Sequence, residues 1–243
     1  MTFCVSATWD DVPHLTEDQK QKLWDAIPPH MRDARTKGIP VLGSGRVFPV
    51  AEEEIRCKAF PIPKSWPQIV GMDFGYDHPF AAARCAWDRD NDVWYVVAGY
   101  RKREATPVIH AAAIKPWGDW IPCAWPHDGL QHDKGSGLAL AEQYRGQGLA
   151  MLDEHATHEE GGNGLEAGLI EMLDRMHTGR FKVFAQCDEW FEEFRLYHRD
   201  NGKVVKERDD ILSASRYALM MRRHAIVEPK SRSWGQPKSG WVV

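Results

Sequence analysis

IVGMDFGYDHP, residues 69–79, is the stretch on which the reading of this chain turns. Ile69, Val70 and Met72 belong to a buried strand, and Asp73 follows directly, ahead of Phe74-Gly75. A carboxylate at the end of an apolar strand is expensive to bury unless something neutralises it. Asp73 is therefore either a turn former or a ligand. Outward from it, QIVGMDF, FAAARCAWD and VWYVVAGYRK are strand candidates joined by GYDHP and RDND, and loops this short favour antiparallel neighbours.

The later pattern alternates. A helix is expected around Pro107–Lys115, then a strand IPCAWPHD, a helix near Gly137–Gln147 and a short strand LAMLD. GGNG (161–164) leads into a helix with Leu165, Leu169, Met172, Leu173 and Met176 on one face. FKVF reads as a strand and DEWFEEFRLYH as a helix. Asn201-Gly202 marks a hairpin turn between RLYHRD and KVVKE. The last helix is expected from about Asp210 to Arg223, with Ile211, Ala214, Ala218 and Met221 facing the core. Three antiparallel strands followed by helix–strand alternation define an α/β domain with a mixed sheet.

Residues 1–66 read differently. HLTEDQKQKLWDAIPP is a helix capped by Thr16 and ended by Pro28-Pro29, and the Gly/Pro-rich stretches after it read as an extended connector. The expected organisation is a linker segment at 1–66, one domain at 67–227 and a flexible tail at 228–243.

Composition narrows the function classes. With 243 residues, 43% hydrophobic and 27% charged, the chain has ample material for a packed core. No window reaches the ~18 uninterrupted apolar residues of a membrane helix, and no basic-then-apolar leader opens the chain, so a cytoplasmic protein with no membrane partner is expected. Five scattered cysteines without a CxxC pair argue against a zinc knuckle or a disulfide framework. The net charge is −4, yet Arg195 to Lys238 holds eleven Lys/Arg against five Asp/Glu, so a local +6 stands beside about −10 elsewhere. A basic face beside an acidic centre fits that asymmetry, as does a solvated helix face with a basic tail.

Two other places give Asp73 its meaning. Asp128 in CAWPHDG also ends an apolar run, and Asp209-Asp210 opens the last helix. If the strands bearing Asp73 and Asp128 are neighbours, their ends bring two carboxylates together, and the helix start delivers a third. Clustered carboxylates repel unless a cation neutralises them, and Mg²⁺ prefers such hard oxygen ligands. Two ions roughly 3.5–4 Å apart activate a water and stabilise a leaving oxygen in phosphodiester cleavage. Each residue also has a bland role: turn former for Asp73, N-cap for Asp209.

GMDFGYDHP, WPHDGLQHDKGSG, LAEQYR and RDDILSASRY, in this order, resemble the C-terminal nuclease domain of the large terminase subunit of tailed double-stranded DNA bacteriophages. Residues 7–49 resemble the stretch that follows the packaging ATPase in those proteins, so the resemblance spans nearly the whole chain. It implies a ribonuclease H-like fold and a metal-dependent endonuclease that cuts concatemeric viral DNA during genome packaging. It further implies two Mg²⁺ or Mn²⁺ ions, double-stranded DNA, portal and small terminase subunit as partners, and action in the host cell cytoplasm. By that likeness Asp73, Asp128 and Asp210 are catalytic metal ligands, with Asp209 a candidate for the same shell. Many relatives carry an Asp where this chain has Ser213, which leaves Asp209 and Asp210 as alternatives for the third ligand. No GxxxxGK[ST] loop is present, since GSGRVFP and KGSGLALA lack its lysine, so the chain is expected to be the nuclease portion without the ATP-driven motor.

Arg195, Arg199, Lys203, Lys206 and Arg208 lead into the acidic motif and are the candidate DNA contacts, because cations must offset carboxylates that repel phosphate. His127, His132 and Asp133 are read as local hydrogen-bonding loop residues. Asp77 is read as a turn residue or an outer-shell ligand. HATHEE is not HExxH, so zinc is not expected. Two rivals are a non-catalytic docking module of the packaging machine and an actin-like or sugar-kinase-type nucleotide-binding domain, for which the chain is short.

Overall fold

The computed structural model describes residues 8–9, 15–26, 36, 45–132, 137–200 and 202–229. Helix α1 (Glu17–Ala26) starts as the sequence indicates: Thr16 Oγ1 accepts from the Gln19 amide at 3.3 Å while Gln19 Oε1 accepts from the Thr16 amide at 3.0 Å. This reciprocal bonding satisfies two amides that a helix start otherwise leaves open. Pro28-Pro29, its expected end, lie outside the described residues.

The centre of the molecule is a seven-stranded mixed sheet. Its strands are β1 (Arg56–Cys57), β2 (Gln68–Asp73), β3 (Phe80–Asp88), β4 (Val93–Lys102), β5 (Pro122–Ala124), β6 (Ala150–Met151) and β7 (Phe181–Phe184). They lie in the order β1-β7-β4-β3-β2-β5-β6. The pairs β2/β3 and β3/β4 are antiparallel, as their short loops require, and the other pairs are parallel. Residues 69–72 are buried without alternation because both faces of the sheet are covered. Ile69 belongs to a cluster with α5 (Leu165–His177), α6 (Asp188–Leu196) and α7 (Asp210–Met220). Val70 and Met72 join α3 (Pro107–Ile114) and α4 (Leu140–Gly146) on the other face.

Helix α7 packs directly on β2 and β3. Ile211, Ala214, Ala218 and Met221 are all fully buried, as their spacing predicts. Large side chains such as Ile211 and Leu219 each contribute about 1.5–3 kcal/mol by leaving water. The approach is closest at Gly71, where a Cβ would stand 1.8 Å from the carbonyl oxygen of Ala214. Only glycine permits that contact.

Three details differ from the sequence expectation. The strand before Asp128 stops at Ala124, and Asp128 sits in a 3-10 turn, His127–Leu130. Pro126 has no amide to continue the ladder, so the chain leaves the sheet there. The last helix closes at Met220 and tightens into a 3-10 turn at Arg222–His224. Residues 45–66, grouped with the connector, pack into the same core: Phe48, Val50 and Ile55 are buried, α2 (Glu52–Ile55) leads into β1, and β1 pairs with β7. Phe60 packs edge-on to Trp66 and Tyr95. Of the expected tail, residues 230–243 lie outside the described residues.

Candidate metal centre

Strands β2 and β5 run parallel, with Val70 opposite Cys123 and Gly71 opposite Ala124. Parallel neighbours end at the same edge, so Asp73 and the turn carrying Asp128 emerge side by side. Helix α7 begins at that edge with Asp210, and Asp209 directly precedes it. Asp73, Asp128, Asp209 and Asp210 all line one cavity of about 460 Å³. Arg103, Lys206, Arg208 and Arg216 line it too, so four cationic side chains face four carboxylates.

The carboxylates feel one another. Burial and then the neighbouring Asp209 charge push Asp73 up to about 8, with Asp210 and Asp128 adding to the rise and Arg216 opposing it. Asp209 is raised by burial, against a 3.3 Å bond from Ser213 Oγ and the charges of Lys206 and Arg216. Asp210 is raised by burial and by Asp209, while Arg101 and His78 hold it down. Like charges crowded into a poorly hydrated edge favour any cation that enters.

The donor chemistry fits a hard divalent cation: four carboxylates, with no sulfur among them. Among the described residues, no three His, Cys, Asp or Glu groups stand close enough to hold an ion as they are placed. The fit therefore lies in the type of donor and its shared cavity. Ser213 is buried and donates its hydroxyl to Asp209.

The other candidates separate. Hairpin β8 (Arg199–Asp200) and β9 (Lys203–Val204) forms with Asp200 opposite Lys203 and Gly202 at φ +79°, the left-handed backbone such a tight turn needs. Lys206 and Arg208 reach the cavity, and Arg208 also contacts Glu192 at 3.3 Å. Lys203 is exposed on the hairpin. Arg199 donates a pair of hydrogen bonds to the Glu166 carboxylate, and Arg195 turns inward to Glu52 at 2.9 Å. His127 lines the cavity, whereas Asp77 and His132 do not. Asp133 lies outside the described residues. His155 packs edge-on to His127, and His158 bonds the Gly164 carbonyl.

Two residues escaped the sequence reading. Arg216 is 4% exposed beside the carboxylates, its guanidinium 4.3 Å from the Tyr217 ring centroid. Glu193 is completely buried, and burial pushes it up to about 8 against bonds from the Leu212 and Ile211 amides and the Arg101 charge. The available signal for both was a charge on the apolar face of a helix: Glu193 shares its face with Trp190 and Phe194.

A mixed sheet of this order with an acidic cluster at the β2/β5 edge defines a ribonuclease H-like domain. Residues 70–222 match the model of the terminase RNase H-like domain, and the chain belongs to that family. It is 47% identical over 239 residues to the terminase large subunit of Salmonella phage P22, covering 96% of this chain and 48% of that one. With the large subunit of Enterobacteria phage LP7 it shares 49% over 219 residues, 90% of this chain and 46% of the relative. The chain spans about half the length of these curated relatives. The solved nuclease domain of the P22 large terminase superposes with a TM-score of 0.72 at 50% identity, covering 76% of this chain and 96% of that one. The nuclease domain of the SPP1 large terminase, solved with bound Mn, shares the fold at TM-score 0.51 and 16% identity, over 69% of this chain and 94% of its own.

Proposed function

We propose that this chain is a divalent-metal-dependent DNA endonuclease that cuts concatemeric viral DNA during genome packaging. The observation that carries the reading is the gathering of Asp73, Asp128, Asp209 and Asp210 around one cavity at the edge where β2, β5 and α7 meet. The family membership and the Mn-bound SPP1 nuclease domain support it.

In this reading Asp73, Asp128 and Asp210 would hold two Mg²⁺ or Mn²⁺ ions, with Asp209 a candidate for the same shell. When bound, such ions lower the pKa of a water and neutralise charge on the phosphate being cut. The chain's own residues do the rest. Arg103, Lys206 and Arg208, all lining the cavity, attract and orient the phosphodiester backbone. Arg216, buried beneath the carboxylates, keeps their mutual repulsion tolerable before any cation arrives. Phosphate contacts carry no base information, so cleavage has little sequence preference of its own. The segment ahead of residue 45 would form the connection to a packaging ATPase, with portal and small terminase subunit as partners in the host cytoplasm.

The test is nicking of supercoiled plasmid with Mg²⁺ or Mn²⁺ against a chelator control. Cutting should require the metal and vanish in Asp73→Asn. A folded wild type that leaves plasmid intact with either metal would favour a docking module instead.

A further inference from the structure

Asp209 occupies the N-cap position of α7, where an Asp side chain ordinarily accepts from the first open amides of the helix. Here it makes no such bond. The acceptor comes from a different helix. Glu193 of α6 is wholly buried, and its Oε2 accepts from the Ile211 amide at 2.8 Å and the Leu212 amide at 3.0 Å. Its Oε1 accepts from Arg101 Nη1 at 2.9 Å. The Asp209 carboxylate is instead left to line the cavity and take the Ser213 hydroxyl at 3.3 Å.

We infer that Glu193 is a positioning residue for the nuclease: it caps α7 in place of Asp209 and so leaves the Asp209–Asp210 pair free to serve the metal centre. The inference rests on the proposed function for its purpose, but its geometry is independent of any metal. One carboxylate joins three elements, α6, β4 and α7, and two of its bonds end on the residues that immediately follow Asp210. A helix start with two unmet buried amides costs free energy. Without Glu193 the side chain at the N-cap position, the ordinary acceptor for the second and third amides of a helix, is that of Asp209. Capping and metal binding would then compete for the same carboxylate.

The experiment compares wild type with Glu193→Gln and Glu193→Leu. Gln keeps an oxygen for both amides and puts an NH2 donor where Oε1 accepts from Arg101. Leu removes the acceptor altogether. Without metal, amide exchange at Ile211 and Leu212 and a crystal structure report where Asp209 points. With metal, the free Mn²⁺ signal in electron paramagnetic resonance gives affinity, and plasmid nicking against Mn²⁺ concentration gives half-saturation and maximal rate separately. In Glu193→Leu we expect Asp209 turned onto the α7 amides and a half-saturating Mn²⁺ concentration raised ~10–100-fold, the usual range for losing an outer-shell partner. The maximal rate should fall less than the affinity. Glu193→Gln should shift affinity in the same direction by a smaller factor, with the amides still protected.

A folded Glu193→Leu with wild-type Mn²⁺ half-saturation and Asp209 still facing the cavity would overturn the inference. If that variant does not fold, Asp209→Ala decides in its place: loss of protection at the Ile211 and Leu212 amides there would show that Asp209 caps α7 and would overturn the inference equally. Should the wild type bind no Mn²⁺, the nuclease reading fails. The metal-free structure and exchange data would then still decide whether Glu193 substitutes for Asp209 as the cap.

Discussion

Gly71 on β2 and Ala214 on α7 touch through backbone alone: a Cβ added to Gly71 would meet the Ala214 carbonyl oxygen at 1.8 Å. This contact sets how deeply α7 lies on the sheet. It therefore fixes Asp210, at the start of α7, relative to Asp73, two residues beyond Gly71.

Gly71→Ala should accordingly move α7 away from β2. Overpacking a core costs about 1–3 kcal/mol, and a clash with main chain places this variant at or above the upper end. Gly99→Ala provides the contrast, since its nearest neighbour would be an Ile211 side-chain carbon at 3.4 Å. Chemical denaturation should show a large loss for Gly71→Ala and less than about 1 kcal/mol for Gly99→Ala. Equal losses would mean that the β2–α7 contact is not the tight one.

The acidic edge gives a pH dependence of stability. Asp73 titrates near 3.8 when unfolded and is pushed to about 8 in the folded chain. Between those values the folded state keeps a proton that the unfolded state has released. The contribution is thus complete below 3.8 and is lost as pH rises through about 8. In chelator, wild-type melting temperature should fall across that window more steeply than that of Asp73→Asn. At neutral pH the variant should melt no lower than wild type. A lower melting point would make Asp73 a structural cap.

Divalent metal should reverse that loss. An ion that binds only the folded chain stabilises it by about 2.7 kcal/mol at ~100 times its dissociation constant. Thermal melts with Mg²⁺ or Mn²⁺ should show the rise in wild type. Asp73→Asn and Asp210→Asn should each lose most of it, together with plasmid cleavage. An undiminished metal shift in both variants would remove these residues from the centre.

The basic residues before α7 should divide into two groups. Lys206 lines the acidic cavity and Lys203 is exposed on the hairpin, so the Lys203→Glu, Lys206→Glu double variant should weaken DNA binding while keeping the metal-induced melting shift. Binding by wild type should fall steeply as salt rises, through counterion release. Arg195 is tied to Glu52, which is itself buried and also bonded by Arg56. Arg195→Ala should lower stability and leave DNA affinity nearly unchanged. Gel-shift titrations beside thermal melts distinguish these outcomes, and an affinity loss in Arg195→Ala alone would reverse the assignment.

The sequence by itself determined what is local. The unbroken apolar run of Ile69–Met72 marks a doubly covered strand, and GYDHP and RDND are too short for anything but antiparallel turns. Asn201-Gly202 fixes a two-residue hairpin, and the spacing of Ile211, Ala214 and Ala218 fixes the buried face of α7. Periodicity names a face but not the partner that covers it. That β5 lies parallel to β2, bringing Asp128 to the edge that holds Asp73, depends on packing between segments some fifty residues apart. Tertiary structure also joined Arg56–Cys57 to β7, turned Arg195 inward to Glu52, and placed Glu193 beneath the amides of α7. In each case a charge or a main-chain donor found its partner far along the chain. The reason is that burial makes an unpaired polar group costly, so folding selects the partner that the three-dimensional packing brings within reach.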